Sequence, residues 1–229
     1  MNLRAFEKKL EYTFKNPALL ETALTHRSFA YEKGSNHPDN QRLEFLGDAV
    51  LDFVIADILF NKNPNDQEGA LTKTRGRLVC ENTLSILAKK LDFGSFLKMG
   101  KGEIASGGTQ RPGPLADAYE AVIGAIYLDG GIDEARKFIQ IHLQPFIDNP
   151  DGNWIPRDAK SRLQEITQKQ KKSLQYQIIR QSGPEHAPTF EIAVCIDQKM
   201  IANACGKSKR EAEQAAAEIA LNLISHTTP

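Results

Sequence analysis

At 229 residues, 41% hydrophobic, 25% charged and with no net formal charge, the chain has the balance of an ordinary globular protein and room for one large domain or two modest ones. Its longest apolar run, Ala49 to Phe60, is too short to span a bilayer and carries Asp52 and Asp57, while the opening MNLRAFEKKLEY holds no apolar leader core. Three cysteines (Cys80, Cys195, Cys205) without a CxxC pair argue against a disulfide framework or a zinc site, so a cytoplasmic protein is expected.

Helical periodicity dominates the first part of the chain. Leu3, Phe6 and Leu10 share one face, and Pro17 is placed to open a helix holding Leu19, Leu20, Ala23 and Leu24. Gln41 to Asn61 is expected to be one long, largely buried helix, and Gly69 to Leu91 one or two more. The glycine-rich Gly100 to Gly113 is expected to be a loop. The small-residue-rich LADAYEAVIGAIYL, Leu115 to Leu128, predicts a helix that can pack closely and that Asp129-Gly-Gly ends. Ile132 to Leu143 predicts another, finishing before Pro145. Asp148 to Pro156 (DNPDGNWIP) clusters turn formers in the manner of a linker.

Beyond that stretch the period changes. Ala159 to Gln170 reads as a helix, followed by strand-like runs Leu174 to Gln181, Thr189 to Cys195 and Met200 to Cys205, and a closing helix from Ser208 to Ser225. The expected architecture is an all-α domain over residues 1–148, a linker over 149–156, and an α-β-β-β-α domain over 157–229. The zero net charge divides along the same line. Residues 157–229 hold 11 Lys and Arg against 8 Asp and Glu, whereas the rest hold 18 against 21. A basic part that meets a polyanion, joined to an acidic part that holds metal, fits this division.

Two apolar helices carry acids at helical spacing. Glu44 and Asp48 are i,i+4 in NQRLEFLGDAVL, and Asp117 and Glu120 are i,i+3 in LADAYEA, so each pair shares a face. Like charges so placed repel, and burial raises the cost. Relief comes either from a hard divalent cation, Mg²⁺ or Mn²⁺ on an all-oxygen site, or from ion pairs with Arg42, Arg75 or Arg77. Spacing alone leaves these two readings even. Gly47 beside Asp48 and Ala118 beside Asp117 favour close approach of the two helices. A cation so held would suit phosphodiester hydrolysis. Asp52 and Asp57 are expected to be surface or ion-paired groups, His26 a core or hydrogen-bonding histidine, and Tyr119 and Phe45 packing residues. Glu68, in the turn before Gly69, is a further acidic candidate.

The motif NQRLEFLGDAVL resembles the signature of the ribonuclease III family. LTHRSFAYE (Leu24 to Glu32) and SGGTQRPGPLADAYEAVIGAIYLDGG (Ser106 to Gly131) resemble that family's flanking motifs in order and spacing, with Gly113 standing where a hydroxyl residue is common. KSRLQE, GPEHAPTF and GKSKREAEQAAA resemble a double-stranded-RNA-binding domain. The resemblance covers nearly the whole chain in the bacterial two-domain layout. It implies Mg²⁺-dependent cleavage of double-stranded RNA to 5′-phosphate and 3′-hydroxyl ends with short 3′ overhangs, in the processing of ribosomal and messenger precursors. It implies metal ligands at Glu44, Asp48, Asp117 and Glu120, with Asp48 and Glu120 catalytic, and an accessory acid at Glu68. It also implies a homodimer in which each subunit cuts one strand.

A duplex RNA binder must read 2′-hydroxyls in the shallow minor groove and the phosphates beyond it, and one such domain spans about 16 bp. Ser161, Gln164 and Glu165 share a helix face suited to 2′-hydroxyls. His186 lies in the loop between the first two strands. Lys207, Lys209 and Arg210 crowd the start of the last helix, where its dipole also favours phosphate. The main alternative, a non-catalytic RNA-binding protein with a decayed nuclease fold, sits poorly with four retained carboxylates. A DNA nuclease sits poorly with a 2′-hydroxyl reader in the tail, and a purely ion-paired assembly domain leaves that tail unexplained.

Overall fold

Two helices rich in apolar and small residues form the spine of the amino-terminal half. The computed structural model describes residues 2–34, 37–149, 159–184 and 188–225, and the chain divides into two units, Met1–Gly152 and Asn153–Pro229. The first holds nine helices among its described residues: α1 (Leu3–Leu10), α2 (Pro17–Ala23), α3 (Arg27–Lys33), α4 (Gln41–Lys62), α5 (Glu68–Leu78), α6 (Glu81–Lys90), α7 (Lys101–Ala105), α8 (Pro112–Gly130) and α9 (Ile132–Asp148). None is long and apolar enough to cross a membrane.

Helix α4 buries Leu43, Gly47, Val50, Leu51, Val54, Ile55 and Leu59, one stripe at helical spacing. That stripe packs along α8, which is buried from Leu115 to Ile126 apart from Asp117 and Glu120. The crossing point is backbone against backbone. A Cβ built on Gly47 would overlap the Glu120 carbonyl and lie 2.9 Å from the Gly124 amide, and one on Gly124 would overlap the Leu43 carbonyl. Only hydrogens fit between the helices there.

Several boundaries differ from the periodicity. Helix α8 starts at Pro112 rather than Leu115, because a first-turn proline needs no N–H partner and carries a preset φ. The stretch expected to be a loop, Gly100 to Gly113, contains α7 and a 3₁₀ turn at Gly108–Gln110. Both are too short to show a repeating stripe. Helix α3 has no counterpart in the pattern because it buries only Ala30 and so carries no apolar stripe; its entry is capped by His26, whose ring accepts from the Ser28 amide at 3.3 Å. Helix α9 continues through Pro145 to Asp148. Burial of Phe146 and Ile147 and the bonds from Gln144 Nε2 and Lys62 Nζ to Asp148 hold the last turn that proline weakens.

The second unit is α10 (Ala159–Lys169), β1 (Leu174–Ser182), β2 (Thr189–Ile196), β3 (Lys199–Gly206) and α11 (Lys209–Ser225). The sheet is antiparallel in the order β1-β2-β3, the expected α-β-β-β-α pattern. Asp197 and Gln198 join β2 to β3 with φ of 49° and 66°, the left-handed pair of a tight hairpin. Leu163, Val194, Ala216, Ala217, Ala220 and Leu221 form the core between helices and sheet, the alanines letting α11 lie close. The linker stretch, apart from Asp148 and Asn149, lies outside the described residues.

Gly47→Ala should destabilise the amino-terminal unit by about 1–3 kcal/mol through overpacking. Gly76→Ala, on α5 with open space around its Cβ position, should be neutral or mildly stabilising. Denaturation midpoints of the two variants check this.

Candidate metal centre

The glycine crossing decides where the acids meet. Glu44 lies one turn before Gly47 on α4, and Glu120 is the residue whose carbonyl Gly47 touches on α8. Glu44, Asp117 and Glu120 each offer a carboxylate oxygen, and these atoms lie within 4.8 Å of one another. All three side chains are half-buried. Asp48, expected as the fourth member, stands one turn further along α4 and is exposed, outside that group.

Electrostatics show what this proximity costs. Burial, followed by the charges of Asp48, Asp117 and Glu44, pushes the Glu120 carboxyl up to about 8. Burial and then Asp117 and Asp48 raise Glu44. Burial raises Asp117, with His26 and Arg27 acting in the opposite direction. Ion pairing does not relieve the group. Among the described residues none of the four acids has an ion-pair partner, while Arg75 lies 3.9 Å from Asp52 and Arg136 bonds Asp57 at 2.6 Å. Asp52 and Asp57 are thus the paired acids, as expected. An unpaired, half-buried, all-carboxylate cluster fits a hard divalent cation.

The cluster opens into a cleft of about 1150 Å³ lined by Glu44 and Asp117 and by Arg27, Asn40 and Arg111. One wall is tied together by backbone bonds, His26 N–H to Lys98 O (2.9 Å) and Asn40 N–H to Thr25 O (2.9 Å). Ser28 Oγ accepts from the Gly100 amide at 2.9 Å. His26 is a capping residue here, matching its expected hydrogen-bonding role. Asn40 is a residue the spacing argument missed. It is buried, and its Nδ2 has no acceptor among the described residues; an asparagine immediately before the signature helix was the available signal.

Other expectations divide. Tyr119 is fully buried, as a packing residue should be. Phe45 is 80% exposed and packs nothing in this chain's core, because the α4 face opposite the α8 crossing is uncovered. Glu68 opens α5, exposed, with Oε1 accepting from Thr72 Oγ1 at 2.8 Å, and it is not in the acidic group.

In the second unit, Ser161 and Gln164 are exposed on α10 with Glu165 half-buried beside them. Lys207, Lys209 and Arg210 are exposed around the start of α11. That start is built by Ser208 Oγ, which accepts from the Glu211 amide, and by Glu211 Oε2, which accepts from the Lys207 amide at 2.8 Å. Lys209 also lies over the Phe190 ring at 5.9 Å. His186 lies outside the described residues.

With this geometry in place, likeness to known proteins is informative. Residues 16–146 match the Ribonuclease-III-like family model, and residues 159–224 match the double-stranded RNA binding motif. A ribonuclease 3 from Carboxydothermus hydrogenoformans is 47% identical, covering 98% of this chain and 97% of that protein. One from Bdellovibrio bacteriovorus is 43% identical, over 96% and 95% respectively. The solved nuclease domain of ribonuclease III from Campylobacter jejuni is 42% identical with a TM-score of 0.58, covering 63% of this chain and 96% of that one.

The pH dependence of stability follows from Glu120. Its folded value of about 8 lies above the ordinary 4.5, so across that window the unfolded chain releases the proton first and stability falls as pH rises. Without divalent ions, Tm should drop by several degrees between pH 5 and pH 8. Added Mg²⁺ should restore it at pH 8 and do little at pH 5. Calorimetry of the wild type beside Glu120→Gln, which should lose most of the slope, checks the sign.

Proposed function

The chain belongs to the ribonuclease III family, and on that footing we propose that it hydrolyses double-stranded RNA with Mg²⁺, leaving 5′-phosphate and 3′-hydroxyl ends with short 3′ overhangs. The observation that carries this reading is the meeting of Glu44, Asp117 and Glu120 at one point, with no ion-pair partner for any of them among the described residues. Those three, with Asp48 alongside, would hold the ion, and Mn²⁺ should substitute. Bound there, the ion supplies charge neutralisation at the scissile phosphate and activation of water. Asp48, exposed one turn along α4, and Glu120, half-buried in the group, carry the catalytic role.

The protein's own contribution is positional. The α4–α8 crossing sets the spacing of the oxygens before any ligand arrives, so little reorganisation accompanies binding. Partial burial holds the carboxylates in a medium where they neutralise a cation more strongly than in water.

Residues 1–148 form the nuclease part, 149–156 the linker and 157–229 the RNA-binding part of this reading. Ser161, Gln164 and Glu165 meet 2′-hydroxyls, His186 reaches a second minor groove, and Lys207, Lys209 and Arg210 hold the phosphates between. The second copy in a homodimer would cover the open face of α4. Phe45, Phe53 and Phe60 are 80%, 58% and 69% exposed there, and Phe53 and Phe60 border an apolar hollow of about 350 Å³. A solved Campylobacter jejuni nuclease domain, 41% identical with a TM-score of 0.58, is described by its flexibility in a region involved in dimer formation. Glu68 is carried as an accessory acid. The cytoplasm is the proposed compartment, and ribosomal precursors and other structured transcripts are the proposed substrates.

Glu120→Gln should abolish cleavage of an RNA duplex in Mg²⁺ while leaving duplex affinity nearly intact; cutting at the wild-type rate would remove the catalytic assignment. Replacing Lys207, Lys209 and Arg210 together with alanine should weaken duplex binding. It should also flatten the dependence of log affinity on log salt by about 2–3, close to one for each phosphate left without its cation. Filter binding across a salt series reads the slope, and an unchanged slope takes these residues out of the interface.

A further inference from the structure

Asn40 lines the cleft, and neither packing nor helix capping explains its placement. It is 2% exposed. Its backbone is held on both sides, donating to Thr25 O at 2.9 Å and accepting from the Glu44 amide at 2.8 Å. Asparagine is favoured immediately before a helix because its side chain caps the first turn, yet Asn40 makes no such bond. Its buried Nδ2 donates to no described residue. An unpaired buried amide lowers stability, and the doubly bonded backbone fixes the residue in the wall of the cleft that it lines.

We propose that Asn40 is a substrate-binding residue, its amide kept unpaired in the free enzyme to donate to a non-bridging phosphate oxygen of the RNA strand lying in the cleft. This rests on the nuclease reading. The amide nitrogen can only donate, so its missing partner is an acceptor. Arg27 and Arg111 line the same cleft, which favours a polyanion as the source of that acceptor. The choice of a neutral donor also follows from the neighbours. Glu44 is i+4 from Asn40, so a lysine or arginine at position 40 would pair with it and take one carboxylate away from the cation. An amide contacts phosphate without competing for that charge.

The test uses the full chain with two substitutions. Asn40→Leu keeps the approximate size and removes every polar atom; Asn40→Asp keeps the shape and replaces the donor by an acceptor. For both, kcat/KM on a defined RNA duplex in Mg²⁺ should fall about ten- to hundredfold, the scale of a hydrogen bond to a charged group. The Tm of Asn40→Leu should be unchanged or higher, since an unpaired polar group has been removed from the interior. Retention of wild-type kcat/KM by either variant overturns the inference. So does a loss of cleavage that comes with a lowered Tm for Asn40→Leu, which marks a purely structural residue. A wild-type chain that leaves the duplex intact overturns the nuclease reading itself, a result plainly separable from the other two.

Discussion

The close crossing of α4 and α8 at Gly47 and Gly124 is the constraint on which the acidic centre depends. Carboxylates on two helices reach one point only if the helix axes approach closely and with a defined rotation about each axis. Here each glycine faces the other helix's backbone, Gly47 against the Glu120 carbonyl and Gly124 against that of Leu43. Any side chain at either position would separate the helices. The residue that sets the distance is thus next to the residue that uses it, and the buried faces of α4 and α8 hold the arrangement rigid.

The centre works against stability in the free protein. Three half-buried acids within 4.8 Å repel, and burial raises the cost of charging each one. The molecule tolerates this because the cost is local while the apolar packing around it is extensive, with Leu43, Leu51, Leu115, Val122 and Ile123 all buried. The contrast with Asp52 and Asp57 is instructive. These acids lie on the same helix, yet each has an arginine beside it. Pairing was available to α4 and is absent at the cluster among the described residues, which fits a site that takes an external cation.

The second unit meets its target by a different physical route. Its sheet face and helices hold a small alanine-rich core, and the groups proposed to meet the ligand lie on α10 and around the start of α11, most of them exposed. A duplex of regular geometry needs only a few contacts at fixed spacing, and sequence reading is not required. The proposed division of labour, an acidic unit for metal and a basic unit for phosphate, accounts for how a chain of zero net charge would serve a polyanion.

By itself the amino-acid sequence determined most element types and the two-part order, and it singled out four acids, three of which the structure brings together. Apolar stripes at 3.6 and 2 residues are local patterns, and paired acids inside such stripes stand out wherever they occur. Elements without such a stripe were illegible: α3 buries only Ala30, α7 is too brief to repeat a pattern, and the last turn of α9 survives Pro145 through Lys62, Gln144 and the burial of Phe146 and Ile147. Tertiary structure alone decided which acids converge and which pair with arginine, since Glu44, Asp48 and Asp52 share one stripe and differ only in what packs beside them. It also decided that Phe45 is left uncovered and that the amide of Asn40 is buried without a partner, because burial and satisfaction of a polar group depend on chain segments far away in sequence.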